Sequence, residues 1–284
     1  MDKEAKLSTK DQEILEKMAE MVNFIKGEFT KRPIYKHKLT PKQTLVVTMF
    51  AAVNSYTEAI FELCKQSRPE AAIVILRSLI EAWINSNYVL GHPNENLLWV
   101  FAIEDSYYRG SLVDQIKDLY KRYPKLRSKW HPRKKLKEMR SITENELNAY
   151  KSKLGISFKN KEEFDKAWGR LKSRAQHIDR RLNKKSKGKA GGIEHTYILV
   201  YKYFSEYVHL QMRGLQHFWV RGKMGDTLIL DKNPSHLTHV LVTTYIMYLY
   251  FASRLKQYKL IDSSLSRFGT YFKNELTKAI STAI

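Results

Sequence analysis

The sequence predicts an all-α protein, an antiparallel bundle of about five main helices. Three observations carry that expectation. Apolar residues recur every three to four positions over long stretches. Prolines are few, seven in 284 residues. Three of those prolines sit where helices begin, in Thr40-Pro41, Arg68-Pro69 and Asn233-Pro234-Ser235.

Residues 5–30 read as a first amphipathic helix, with Ile14, Leu15, Met18, Met21, Val22 and Ile25 on one face. Thr40 as N-cap and Pro41 as first helical residue open the next helix, 40–66. A second start signal gives 69–90, closed by Gly91-His92-Pro93, and a third helix covers 94–123. From 124 to 193 apolar residues thin out, and short helices are expected near 143–154 and 161–181. The run NKKSKGKAGG (183–192) reads as a loop. Strongly apolar helices return at 194–218 and 235–260, with a short hairpin or turn between them near 222–231. The domain reading is an N-terminal helix (1–39), a bundle core (40–123 and 194–262), a basic helical insertion (124–193) and a short C-terminal helix (263–284).

Composition narrows the chemistry. The single cysteine, Cys64, forms no intramolecular disulfide and cannot build a cysteine zinc site. The charged N-terminus lacks a signal-peptide core and no run of about eighteen apolar residues stands out, so the chain is expected in the cytoplasm and not in a membrane. Net charge is +21. Its distribution is uneven: residues 117–189 hold 25 Lys/Arg against 8 Asp/Glu, while 40–116 hold 5 against 8. A charge confined to one segment makes a local field that attracts polyanions, and RNA is the expected partner.

Two apolar helices carry polar residues where solvent is not expected. In AAIVILRSLIEAWINSNYVL (71–90), Arg77 and Glu81 share a face at i,i+4, with Asn85 a turn further. They form either an ion pair reaching the surface or a polar wall inside a cleft. In HTYILVYKYFSEYVHLQMRGLQHFW (195–219), Lys202, Ser205, His209 and Arg213 fall three to four residues apart. A histidine that moves a proton and cations that stabilise a phosphorane are the parts of a phosphodiester-cleaving site. A core histidine satisfied by Ser205 is the simpler alternative.

The R-S-L-x-E core of LRSLIEAWINSNYVL (76–90), followed downstream by YFSEYVH (203–209), resembles an uncharacterised bacterial helical family with Arg-x-x-x-Glu and Ser-x-x-x-His helices. That family is similar to the HEPN superfamily. The resemblance covers about 40–120 and 194–260. It implies a helical bundle, a homodimer, and a cleft shared by the polar residues of both helices. It also implies a metal-independent ribonuclease of a toxin or phage-defence system, with a partner protein from the same system. His209 matches the superfamily histidine. Lys202 stands where an arginine is usual, a point charge in place of a bidentate fork. In that reading His209 acts on the ribose 2′-hydroxyl. Arg77, Lys202 or Arg213 stabilises the phosphorane, and Ser205 and Glu81 orient His209 and Arg77. A non-catalytic binding module with a degenerate site is the alternative.

The basic segment interleaves cations with Tyr120, Tyr123, Trp130, Tyr150, Phe158 and Trp168. Cations contact phosphate and exposed aromatics stack on unpaired bases. Lys129, Trp130, Arg133, Lys134 and Lys135 form the densest cluster. Arg170, Arg174 and Arg181 share a face of a second, continued by Lys184 and Lys185. The other possibility is that the aromatics form a small local core. His236-x-x-His239 lacks a third ligand, and no metal is expected. Neither a Walker A loop nor Gly-x-Gly-x-x-Gly occurs, and no cofactor is expected.

Overall fold

The computed structural model describes residues 7–31, 34–123, 133–155, 158–186, 192–202, 219–222, 225–228 and 237–276. It is all-α apart from one short hairpin among these residues. The chain divides into two compact units, Met1–Asn87 with Ala175–Ile284, and Tyr88–Arg174.

In the first unit, α1 (Thr9–Thr30) starts where Ser8 accepts the Asp11 N–H at 3.1 Å. The six apolar residues read as its inner face are all buried. α2 (Pro41–Lys65) opens on a reciprocal capping box. Gln43 N–H donates to the Thr40 hydroxyl at 3.2 Å, and Thr40 N–H donates to Gln43 Oε1 at 2.9 Å. By length and composition α2 also passes as a membrane-crossing helix. Val46, Phe50, Val53, Ile60 and Cys64 are buried where α2 meets α1 and α9 (Leu237–Gln257), and 28% of the most apolar stretch of α2 is buried in all. Each such side chain contributes roughly 1.5–3 kcal/mol on burial. Burial pushes the Cys64 thiol up to about 12, so it stays an unreactive core residue.

Ser67, at φ 55°, turns the chain from α2 into α3 (Pro69–Gly91). α9 buries twelve residues and carries the aromatic centre of this core. The Phe50 and Tyr248 rings lie 5.4 Å apart, and the Tyr248 hydroxyl donates to Asn54 Oδ1 at 2.8 Å. α10 (Ser266–Tyr271) follows, and Phe268 packs on Phe24 at 5.6 Å. The hairpin pairs β1 (Trp219–Gly222) antiparallel with β2 (Gly225–Leu228), Gly222 opposite Gly225. It falls a few residues earlier than the sequence pattern suggested.

In the second unit, a 3-10 turn (Glu95–Leu98) capped by Asn94 precedes α4 (Trp99–Arg122), so that helix begins later than its sequence reading. α5 (Arg133–Leu154) is much longer than the expected 143–154. It packs antiparallel on α4, as the pairs Arg109–Glu146 at 2.5 Å and Arg140–Asp114 at 2.6 Å require. Leu136 joins Val113 and Tyr120 in a small core, and that burial explains the earlier start. Gly155, at φ 71°, ends α5. α6 (Lys161–Trp168) stops at Gly169, whose φ of 76° breaks the single helix expected over 161–181. α7 (Leu171–Ser186) follows. Residues 183–186, expected in a loop, are helical, because lysine and asparagine lower helix propensity only mildly and do not stop a helix.

Candidate functional site

α3 is apolar on most sides, with Leu76, Leu79, Ile80, Trp83 and Ile84 buried. One stripe departs from this: the Arg77 side chain is 22% exposed and Glu81 44%. Two features of α7 set what faces that stripe. Arg181 Nη2 donates to the Asn87 carbonyl at 3.1 Å, tying α7 to the end of α3. The Asp179 carboxylate accepts the Ile193 N–H at 3.1 Å and the Glu194 N–H at 2.8 Å. It thereby satisfies two orphan donors at the start of α8 (Ile193–Thr196). Gln176 Nε2 adds a 2.7 Å bond to Glu194 Oε1.

α8 leads into a π-helical segment, Tyr197–Lys202. A π turn holds an extra residue, which rotates the side chains after it by about 100° relative to an α-helix. Lys202 and Tyr201, three and four residues before Ser205, are both candidates for one face in α-helical spacing. Lys202 is exposed and does not join the cluster. Tyr201 is 9% exposed. Its hydroxyl accepts from Arg77 Nη2 at 3.0 Å and donates to Glu81 Oε1 in a short hydrogen bond. The Arg77 guanidinium lies 4.8 Å from the Tyr201 ring centre. The Tyr197 ring stacks on the other aromatic at 5.1 Å and 19°.

The ion pair within α3 is long, with Arg77 Nε 3.9 Å from Glu81 Oε1, and half exposed. Such a pair is worth less than about 1 kcal/mol. Tyr201 is the bridge between the two charges. Burial, and then the Glu81 carboxylate, push its hydroxyl up to about 12 against the opposing pull of Arg77. At neutral pH Tyr201 is a hydrogen-bonding phenol and not a nucleophile. The arrangement holds a guanidinium at the edge of solvent on a rigid helix, a geometry suited to a phosphate or carboxylate.

Ser205, His209 and Arg213 lie outside the described residues, as do Lys129, Trp130 and His236. Among the described residues no group of three or more His, Cys, Asp or Glu could hold a metal. Spacing alone does not single out Tyr201, since an aromatic on an apolar helix reads as core. Its place four residues before Ser205 was the available signal.

The basic candidates divide. Lys134 and Lys135 on α5, Arg170 before α7 and Lys184 on α7 are exposed. Arg133 and Lys185 belong to α5 and α7, with side chains outside the description. Arg174 and Arg181 are engaged within the protein. Arg174 is buried with its guanidinium 4.3 Å over the Trp168 ring, and Arg181 is half-buried on the Asn87 carbonyl. Of the aromatics, Tyr120, Phe158 and Trp168 are buried as in the local-core alternative and Tyr150 stacks on Trp99 at 5.6 Å, whereas Tyr123 is exposed and Trp130 lies outside the described residues. A second polar group went unread. Asn87 Oδ1 accepts from the Tyr250 hydroxyl at 2.5 Å and from Arg254 Nη2 at 3.3 Å, and no spacing in the sequence links these residues.

The segment that encloses both α3 and Tyr201 also carries a family signature. Residues 43–226 match the model of DUF5677, a family of unknown function. The chain belongs to this family. The DUF5677 match runs from α2 into β2, and so includes the Arg77–Glu81 pair, the π segment and the basic segment between them. No curated protein and no solved structure matches the chain.

Proposed function

We propose that this DUF5677 protein is a HEPN-like RNA-binding protein that cuts RNA without a metal, as a bacterial toxin or phage-defence effector. The observation that supports this reading is the meeting of Arg77 and Glu81 with Tyr201. Tyr201 stands four residues before Ser205 and eight before His209. The guanidinium lacking beside His209, where Lys202 replaces the usual arginine, is then supplied by α3.

In this mechanism His209 takes the proton of a ribose 2′-hydroxyl. O2′ bonds to phosphorus, the bond from phosphorus to O5′ breaks, and O5′ leaves with a proton from water. The products are a 2′,3′-cyclic phosphate and a 5′-hydroxyl. Arg77 stabilises the extra negative charge on the phosphorane, which only the transition state carries in full. Arg213 adds positive charge, Ser205 orients His209, and Glu81 with Tyr201 holds Arg77 in place. The surplus cations of residues 117–189 bring the polyanion to the site.

A non-catalytic binding module is the second reading. The engagement of Arg77 by Tyr201 and Glu81 favours it, because a guanidinium already satisfied has less to offer a phosphate. Cleavage of labelled RNA in EDTA separates the two. Cutting that ends in a cyclic phosphate and is lost in His209→Ala supports the nuclease. RNA binding without cutting by the wild type supports the module.

A further inference from the structure

α4 has two apolar faces. One turns Gly110, Val113 and Tyr120 to α5, with Leu136 and Arg140 against them. The other carries Tyr108, Leu112 and Leu119, exposed by 67%, 39% and 36%. Steps of four and seven residues return to nearly the same side at 3.6 residues per turn, so these three share one strip. Tyr123 extends it. Its N–H is still bonded to the Leu119 carbonyl at 2.8 Å, and its side chain is exposed. Between Tyr108 and Tyr123 the strip also holds Gln115, and it carries no charge. Large apolar side chains in line on an exposed face mark a contact surface, where single scattered ones do not.

The strip reads the same in both directions: Tyr, Leu, Leu, Tyr, spaced four, seven and four residues apart. A two-fold axis through its middle, between Gln115 and Ile116, lays Tyr108 on Tyr123 of a second copy and Leu112 on the Leu119 of that copy. A symmetric contact between identical chains needs this property, that residue i meets j and j meets i.

Charge selects the direction. α4 and α5 lie antiparallel in a register that puts Arg109 beside Glu146 and Tyr120 beside Leu136. At one end of the pair, residues 117–122 and 133–138 hold seven Lys/Arg against two Asp/Glu. At the other end, 104–109 and 146–151 hold two against three. Two α4 helices laid parallel would bring both basic ends together. Laid antiparallel, each basic end meets the weakly acidic end of the other copy. In a chain of net charge +21, an uncharged strip is also where two copies approach at least electrostatic cost.

We infer that the outer strip of α4 binds a second copy of this chain, with the two α4 helices antiparallel about the midpoint between Gln115 and Ile116. Four such side chains cover roughly 500–600 Å² per copy, less than the roughly 800 Å² per partner of a standard interface. The dimer is therefore expected to form at micromolar concentration. It requires neither RNA nor catalysis, so it stands or falls apart from the nuclease reading.

The test is sedimentation of the full chain from low to high micromolar concentration. The proteins are the wild type, Leu112→Glu/Leu119→Glu, and Ile142→Glu as control. Ile142 is 48% exposed on α5, off the strip. Circular dichroism checks that each variant keeps its helices. Direction is read from cysteine cross-linking under mild oxidation, the native Cys64 being buried and unreactive. Leu112→Cys mixed with Leu119→Cys is expected to give a mixed disulfide dimer. Either alone is not, because its two sulfurs lie about 10 Å apart along the helices, beyond the reach of a disulfide. The wild type and Ile142→Glu are expected to dimerise alike, and the double glutamate variant at least tenfold more weakly. A wild type that stays monomeric throughout overturns the inference and leaves the strip to a different protein. A double variant that dimerises like the wild type overturns it too, since the contact then lies elsewhere. So does Leu112→Cys cross-linking to itself as readily as to Leu119→Cys, or Ile142→Glu weakening the dimer as much as the double variant.

Discussion

The Arg77 guanidinium donates to the Tyr201 hydroxyl at 3.0 Å, across 124 residues of chain. That bond joins the two helices on which the sequence shows unexpected polarity. It makes Tyr201 the hinge of the proposed site, and it gives the first prediction. Tyr201→Phe keeps the ring stack on Tyr197 and removes both hydrogen bonds, at a cost of about 1–2 kcal/mol. The loss has a pH signature. The folded-state pKa of Tyr201, about 12, lies above its ordinary value of 10.0. Its contribution is therefore complete below the ordinary value and is lost as pH rises through the folded one. Urea denaturation across that alkaline range should show wild type and Tyr201→Phe converging as pH rises. A constant difference between them would remove Tyr201 from that role. Tyr245, Tyr248, Tyr250 and Tyr271 are raised by burial as well, so the wild-type decline persists in part in the variant.

Asp179 makes a second, local prediction. Its carboxylate satisfies the Ile193 and Glu194 N–H groups. Asp179→Ala should cost about 1–2 kcal/mol, as loss of a helix cap does. Amide exchange of residues 193–202 should quicken while α2 and α9 remain protected. Uniform quickening would mean that Asp179 supports the whole unit and not the approach to Tyr201.

Much of the fold was legible because its signals are local. Thr40, Pro41 and Gln43 announce α2 with their own hydrogen bonds, and the α1 face from Ile14 to Ile25 is buried as its period requires. What escaped depends on partners distant in sequence or on a departure from regular pitch. The start of α5 is set by Leu136 packing on Val113 and Tyr120, which propensity does not reveal. The break at Gly169 depends on a positive φ that glycine permits but does not demand. At the site, Arg77 and Glu81 stood out as charges on an apolar helix. Tyr201 did not, because an aromatic on an apolar helix reads as core. The charge of Arg174 is visible in sequence, and its burial over Trp168 is not.

Glu70 offers a third prediction, of opposite sign to the usual carboxylate. Burial raises its pKa, and its Oε1 is buried without a hydrogen-bond partner among the described residues. A carboxyl raised in the folded state stabilises only while protonated, and stability falls as pH rises through that raised value. Glu70→Gln should therefore match the wild type in acid and exceed it at neutral pH. Melting temperatures on both sides of the carboxylate range check this. A variant less stable at neutral pH would show that the charge at the start of α3 is favourable there.

In the proposed nuclease a guanidinium from α3 and the histidine of the second polar helix act on one phosphodiester. The most direct measurement is a double-mutant cycle in kcat/KM for RNA cleavage in EDTA, with Arg77→Ala, His209→Ala and both together. Each single change is expected to slow cleavage by about 10²-fold or more. The double variant is expected to be little slower than the worse single one, because residues acting as a unit are not additive. Cleavage untouched by Arg77→Ala, or losses that simply multiply, would contradict a shared site.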